Sequence, residues 1–472
     1  MKHFFLKILS IGISATMLAA CTAENDTDRA IEEIVASIQQ PSFRDADYVV
    51  EAVADGITDA REAINGTISR CSADGGGRVI VKPGKYFCKG PIQLKSDVNL
   101  HLEEGSEILF SPDPVDYTPM ELTVWEGTEL INYRSPIHAY QCENIAITGK
   151  GVLNGQATLS PFGKGRHTRG CPQVMDLRRA AFYGVPAHLR GFGEESLLPP
   201  AMLQPWGCNK VLLEDFTLLD SPFWCMHCFY CYNVTVRRVK INSQHLNNDG
   251  FDPDCTSYVL VEDCDFNCLD DAIAVKAARD KEGWRSGKKS HDIVVRNCRF
   301  STGSGGIVIG SEMAAGVYRV YAKDIQVSDC KTLFSIRGNL DRGGFVRDIH
   351  VENMVADSVS SALFFLNHRY TGLVGGNTAP KVSNVTMRNC KARVTADCGI
   401  VFHGLEQEPA QDILFENIEI GHCDKPLVLQ NFGKVTFRNV SINGTVIEET
   451  QQPTVGVEKS AKDISRKHHD WD

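Results

Sequence analysis

Asn233-Val-Thr-Val236, Tyr258-Val-Leu-Val261 and Asp292-Ile-Val-Val295 share one pattern, a corner residue followed by alternating apolar positions. The pattern occurs earlier as Asn144-Ile-Ala-Ile147 and Lys210-Val-Leu-Leu213. It returns as Asp324-Ile-Gln-Val327, Asp348-Ile-His-Val351, Asn384-Val-Thr-Met387, Asp412-Ile-Leu-Phe415 and Lys434-Val-Thr-Phe437. Alternation over so few residues predicts a short strand with one buried face. The period is roughly 22 to 36 residues. Many units hold a second apolar strand, such as Ala272-Ile-Ala-Val275, Gly306-Ile-Val-Ile309 or Gly399-Ile-Val-Phe402.

Such units, with two or three strands and no helical period, fit an all-β solenoid: a right-handed parallel β-helix whose coils stack about 4.8 Å apart. A β-propeller would need four antiparallel strands in each blade of about 40–50 residues, which most units lack. No coil buries its inner face alone, so the 472 residues make one long domain where length alone suggests two or three.

The 17 cysteines would suit a disulfide or metal scaffold. Yet Cys264, Cys298, Cys330 and Cys390 each stand five residues after the first apolar residue of the pattern. Val239, Met354, Ile418 and Val440 fill that slot in other coils, which marks an inward apolar position. Cys225, Cys228 and Cys231, with His227 among them, have ligand-like spacing. Strand alternation predicts opposite faces for Cys225 and Cys228, so no metal is expected there.

The ends read differently. Lys2, His3 and Lys7 precede an apolar run, Ile8 to Ala20, too short to span a bilayer comfortably. Leu18-Ala19-Ala20-Cys21 resembles the lipobox of bacterial lipoproteins. The expected organisation is a signal peptide over 1–20, a lipid-modified Cys21, and a polar tether over 21–45 with a short helix at Ala30 to Ile38. The solenoid follows over 46–445, then a polar tail over 446–472. The implied location is the cell envelope, on its periplasmic or outer-surface side, with membrane contact only through the lipid. Ala60 to Cys71 predicts an amphipathic helix stopped by Gly75-Gly76-Gly77, placed to cap the first coil. A net charge of −10 supplies no basic excess for nucleic acid, though a local basic groove remains compatible with an anionic substrate.

Position in the repeat locates a candidate site. Counted from Val259, Asp270 and Asp271 lie 11 and 12 residues on; the same offsets from Ile293 give Ser304 and Gly305, and from Ile325 give Ile336 and Arg337. With Asp249 in the preceding coil, these predict one vertical strip of Asp249, Asp270, Asp271, Ser304 and Arg337. Several carboxylates on one wall suit glycoside hydrolysis, with one protonated to donate and another ionised to activate water. The competing explanation is a turn that favours Asp, since similar offsets hold Asp397 and Asp424.

At these residues the chain resembles glycoside hydrolase family 28, the polygalacturonase and rhamnogalacturonan hydrolase family, over about residues 46–445. Ala54-Asp-Gly-Ile-Thr-Asp59, Gly75-Gly-Gly-Arg-Val79 and Ile92-Gln-Leu-Lys-Ser96 resemble the opening of pectin-acting β-helices. Asn248-Asp249-Gly250-Phe251-Asp252-Pro253 is similar to the family's Asn-Thr-Asp-Gly signature, and Leu269-Asp270-Asp271-Ala-Ile-Ala-Val-Lys276 to its paired-Asp signature. The resemblance implies Asp270 as general acid, Asp249 and Asp271 as holders of the water, inversion, no cofactor, and an acidic plant polysaccharide as substrate. Inversion would call for carboxyl groups roughly 6.5–9.5 Å apart.

Two motifs depart from the family. Gly303-Ser304-Gly305 stands where the family has Gly-His-Gly, and Ser335-Ile336-Arg337 where it has the Arg-Ile-Lys that holds a substrate carboxylate. A reduced cation pair should bind a uronate more weakly. The favoured reading is therefore a rhamnogalacturonan-type or other non-homogalacturonan substrate; the alternatives are an exo-polygalacturonase with replacement cations (Lys276, Arg279 or Arg369) and a non-catalytic glycan-binding β-helix. Trp224 and His227, beside the presumed groove, join Lys276, Ser304 and Arg337 as candidate substrate contacts. The insertion from Gln156 to Gln204, with Arg166, His167, Arg169, Arg178, Arg179, His188 and Arg190, is a candidate for closing one groove end and favouring chain-end attack. Lyase chemistry on the same fold is the remaining competitor, separable by unsaturated products.

Overall fold

The computed structural model describes residues 26–164, 171–196 and 198–451. Nearly all of its strands join one parallel sheet wound into a right-handed β-helix. One column of inward side chains runs Val211, Val234, Val259, Ile293, Val320, Ile349, Val385, Ile413 and Val435, each in register with the next. All are buried. The residue before most members is left-handed: φ is 56° at Asn233, 55° at Asp292 and Asp348, 51° at Asn384 and 52° at Asp412. Asn and Asp tolerate that conformation best among side-chain-bearing residues, which is why they open the repeat.

A second corner uses the same chemistry, with Asp263, Asn297, Asp324, Asn353, Asn389 and Asn417 all at positive φ. This corrects one coil. Val320, not Ile325, pairs with Ile293, and Ile325 pairs with Met354. Asp324-Ile-Gln-Val327 is therefore the second corner, and the counting from Ile325 was five residues out of phase. Cys330 accordingly leaves the slot of Cys298 and pairs with Val359.

Sixteen cysteines are described, all free and all buried except the half-buried Cys171. Cys225 and Cys228 do not take opposite faces: both, with Cys231, lie in the main core, because Cys225 precedes the strand Met226–Phe229 and escapes its alternation. His227 points the other way, bonding Gln204 and Asp254.

The cap is the helix Arg61–Ala73, which buries Ile64, Ile68 and Cys71. Gly76 follows at φ +90°, where a Cβ would meet the Asp97 carbonyl oxygen at 2.4 Å. The polar tether expected over 21–45 is corrected from residue 26 onward. Residues 26–37 form a helix whose Ile31 and Ile34, with Ile38 just beyond it, pack on Leu260, Val294 and Tyr321 of the outer wall. Cys21 and the signal segment lie outside the described residues. The tail also starts later than expected, because Thr445–Gln451 pairs antiparallel with Val435–Ile442. Its turn, Asn443-Gly444, has φ of 54° and 75°, the two positive values of a type I′ hairpin.

Two insertions cover the groove side. The hairpin Glu121–Trp125 and Thr128–Asn132 and the helix Pro172–Phe182 build a small core of Trp125, Leu130, Val174, Leu177, Leu198, Phe223 and Trp224.

Candidate active site

Two short segments of consecutive coils carry the carboxylates, Asp249 on one and Asp270 and Asp271 on the next. Asp249 and Asp271 precede strands paired at Phe251 and Ile273, and the Gly250 N–H donates to the Asp271 carbonyl at 2.8 Å. Asp270 and Asp271 fall in register with Ser304 and Gly305, continuing the pairing of Ile273 with Ile307. Oxygen atoms of Asp249, Asp270 and Asp271 lie within 4.8 Å of one another. That is closer than the separation expected for inversion. It still leaves room for one bridging water, since two hydrogen bonds of about 2.7 Å span that gap.

The three carboxylates differ in surroundings. Asp271 is buried and accepts three N–H groups: Arg337 Nη1 at 2.7 Å, Arg337 Nη2 at 2.9 Å and the Gly305 amide at 2.7 Å. Asp270 is partly exposed. Burial first, and then the charge of Asp271, raise its pKa to about 6, against the pull of Arg337 and Lys276. Asp249 is also raised, by burial and then by Asp252 and Asp270, with Lys276 opposing.

Arg337 thus reaches the cluster, but not through the predicted register. Its partners across the sheet are Gly310 via Ile336–Ile309 pairing and Asn367; the row of Asp271 and Gly305 continues to Thr332. Side-chain length brings the guanidinium back to Asp271. Ser304 is at the rim, its Oγ 3.3 Å from Arg337 Nη2.

The other expected substrate contacts are placed elsewhere. Lys276 is buried, with Nζ 3.6 Å from Asp249, 3.4 Å from Asp252 and 3.3 Å from Glu312. Burial opposes its charge, but Asp252, Glu312 and Asp249 outweigh that and hold it protonated. Trp224 has no free face: it stacks on Phe223 at 5.2 Å, and Lys276 Nζ sits 4.3 Å from its ring centre. It is a wall residue, not a sugar platform. His227 is 1% exposed. Arg279 is spent on Glu126 and Glu312. Arg178 pairs with Glu126 at 2.8 Å and Arg190 with Glu282 at 2.9 Å, so these two arginines of the insertion fasten the wall. Arg179 is exposed beside Asp176; Arg166, His167 and Arg169 lie outside the described residues.

Sequence reasoning missed Tyr370, whose ring centre is 6.0 Å from the Arg337 guanidinium carbon and whose hydroxyl pKa is raised by burial. It also missed Glu312, held ionised against its burial by Arg279, Lys276 and Arg342. Neither belongs to the strip.

The wall covers the outward face of the coils that precede Asp249. Outward-facing Gln204 and His227, on the coils preceding Asp249, are buried beneath the hairpin; Gln204 bonds Thr123 at 2.9 Å and the Val124 carbonyl at 3.1 Å.

Residues 118–442 match the sequence profile of Glycosyl hydrolases family 28. A hyperthermoactive exopolygalacturonase from Thermotoga maritima is 34% identical, with a TM-score of 0.84 over 91% of this chain and 100% of that one. A probable polygalacturonase of Vitis vinifera is 26% identical over 78% of this chain and 72% of its own length. An exopolygalacturonase from Yersinia enterocolitica shares the fold at 19% identity and a TM-score of 0.67, over 88% of this chain and 79% of that one.

Proposed function

The chain belongs to glycosyl hydrolases family 28 and is a glycoside hydrolase, and from that premise we propose that it removes galacturonic acid units from one end of a pectic chain. The observation that carries this reading is the carboxylate cluster set beside the wall over the coils that precede Asp249. Asp270 is the general acid: it keeps its proton up to about pH 6 and is the most accessible of the three. Asp271, complemented by three donors, is the base that takes a proton from the attacking water, and Asp249 orients that water. Attack on one face and protonation on the other invert the anomeric centre in a single displacement. The wall of Trp125, Phe223 and Trp224 limits the sugars bound on its side, which favours chain-end action. The likeness to the Thermotoga exopolygalacturonase supports the same reading. Arg369, half-buried and without an ion pair to another described residue, is a candidate cation for a uronate carboxylate.

A second reading is a rhamnogalacturonan-type substrate. It is favoured by Ser304, by Ser335 and by an Arg337 already engaged with Asp271. Mass spectrometry of early products from polygalacturonan and from rhamnogalacturonan oligosaccharides separates the two, with Asp270→Asn as control. Saturated monogalacturonate from the first supports the main reading. Cleavage of the rhamnose-containing chain alone replaces it, early internal fragments overturn the chain-end part, and unsaturated products would mean lyase chemistry.

We also propose that Cys21 carries a lipid anchor and that the enzyme works in the cell envelope, on the strength of Leu18-Ala19-Ala20-Cys21.

A further inference from the structure

We infer that Arg337 is a positioning residue, whose guanidinium folds back across Ser335 to fix the Asp271 carboxylate on the attacking water. The inference rests on the hydrolase reading of the cluster and assigns Arg337 a task other than holding a substrate carboxylate.

The geometry is specific. Two guanidinium nitrogens face the two oxygens of one carboxylate, at 2.7 and 2.9 Å. This planar fork is the arrangement in which arginine differs most from lysine. The pair is shielded, with Asp271 at 4% and Arg337 at 14% side-chain exposure. The Gly305 amide completes the clamp. A Cβ on Gly305 would lie 2.2 Å from Val308 Cγ2, 2.9 Å from Asp271 Oδ1 and 3.1 Å from Arg337 Nη2, so glycine is what lets guanidinium and carboxylate meet there.

The path to Asp271 runs over residue 335. Ser335 and Arg337 are alternate residues of one strand, and Ser335 is in register with Val308, whose coil neighbour is Ala274, three residues after Asp271. Ser335 is fully buried and its Oγ has no hydrogen-bond partner. A small side chain at 335 leaves space on this face of the strand, where a long cation would compete with the Arg337 side chain. The serine that reads in the sequence as a lost cation is, in the fold, what frees the route for the remaining one.

The charges around Asp271 are Asp270, Asp249 and Asp252 on the acidic side, Arg337 and Lys276 on the basic side, with the Tyr370 hydroxyl nearby. Lys276 is occupied by Asp249, Asp252 and Glu312. Arg337 is thus the cation bonded directly to Asp271.

The test is steady-state kinetics across pH for Arg337→Gln and Arg337→Lys, with folding checked by circular dichroism, on the oligosaccharide that the wild type cleaves. Losing the fork misplaces the base. Arg337→Gln should lower kcat by about 10²-fold with KM nearly unchanged. It should also move the basic limb of the profile to higher pH, because Arg337 opposes the rise of Asp270. Arg337→Lys keeps the charge without the fork, so kcat falls while that limb stays. A rise in KM with kcat and profile unchanged would overturn the inference and make Arg337 a substrate-carboxylate ligand. Wild-type cleavage, and its loss in Asp270→Asn, test the hydrolase reading separately.

Discussion

Three aspartates of one chemical type are given different environments by what surrounds them. Asp271 accepts a guanidinium fork and an amide, whereas Asp270 meets burial and a neighbouring negative charge. Its folded-state pKa of about 6 means the acid is loaded below that pH and is lost as pH rises through it. We therefore expect kcat to fall on the alkaline side with a midpoint near 6, measured in buffers that span it. Asp270→Asn should cost about 10²–10⁴-fold in kcat; a loss of only a few-fold would give the acid role to another group. This trio was legible in the sequence because the family's two signatures and the repeat count agreed on it. The roles of Trp224, His227 and Lys276 were not legible, since they depend on residues far away in sequence. Trp125 stacks on Phe223 and closes the core beside Trp224, and Glu312 captures Lys276.

At the scale of elements, each strand was readable where its alternation was local, and its phase failed where two corners use the same vocabulary. Asp324-Ile-Gln-Val resembles Asp292-Ile-Val-Val because both corners place a left-handed Asx before an inward apolar residue. Asn443-Gly444, by contrast, is a plain hairpin signal that extends the fold past the expected start of the tail. The helix over 26–37 was under-read for another reason: its Ile31, Ile34 and Ile38 find their partners on strands more than 200 residues away. Its ion pairs, Glu32 with Arg296 and Asp28 with Lys323, lie at the edge of that contact. Ile34→Asp places a charge in a site with 1% exposure and should undock the helix. Amide exchange within 26–37 should accelerate, with the column from Val211 to Val435 still protected. Loss of protection throughout would show the helix to be part of the solenoid's own stability. In the other coils, the thiols at inward slots should resist a thiol reagent in the folded protein. Half-buried Cys171 should react first among the described cysteines.

For the whole molecule, the docked helix turns a question of localisation into one of distance. Were 21–45 a free tether, a lipid on Cys21 would let the solenoid range over about 80 Å of extended chain. With residue 26 already part of a helix fixed to the outer wall, only the link from Cys21 remains, at most about 17 Å long. An anchored enzyme would then lie with this face toward the lipid surface, in a limited range of orientations. Two measurements check the arrangement. Cys21→Ser should move the protein from the detergent phase to the aqueous phase without changing kcat on a short oligosaccharide. In the anchored wild type, fluorophores placed near Glu32 should lie closer to a labelled bilayer than fluorophores near the Asn443-Gly444 hairpin. Equal distances would mean that the helix undocks when the chain is anchored. An unchanged phase for Cys21→Ser would remove the lipid, and with it the orientation, while leaving the catalytic argument from Asp270 and Asp271 intact.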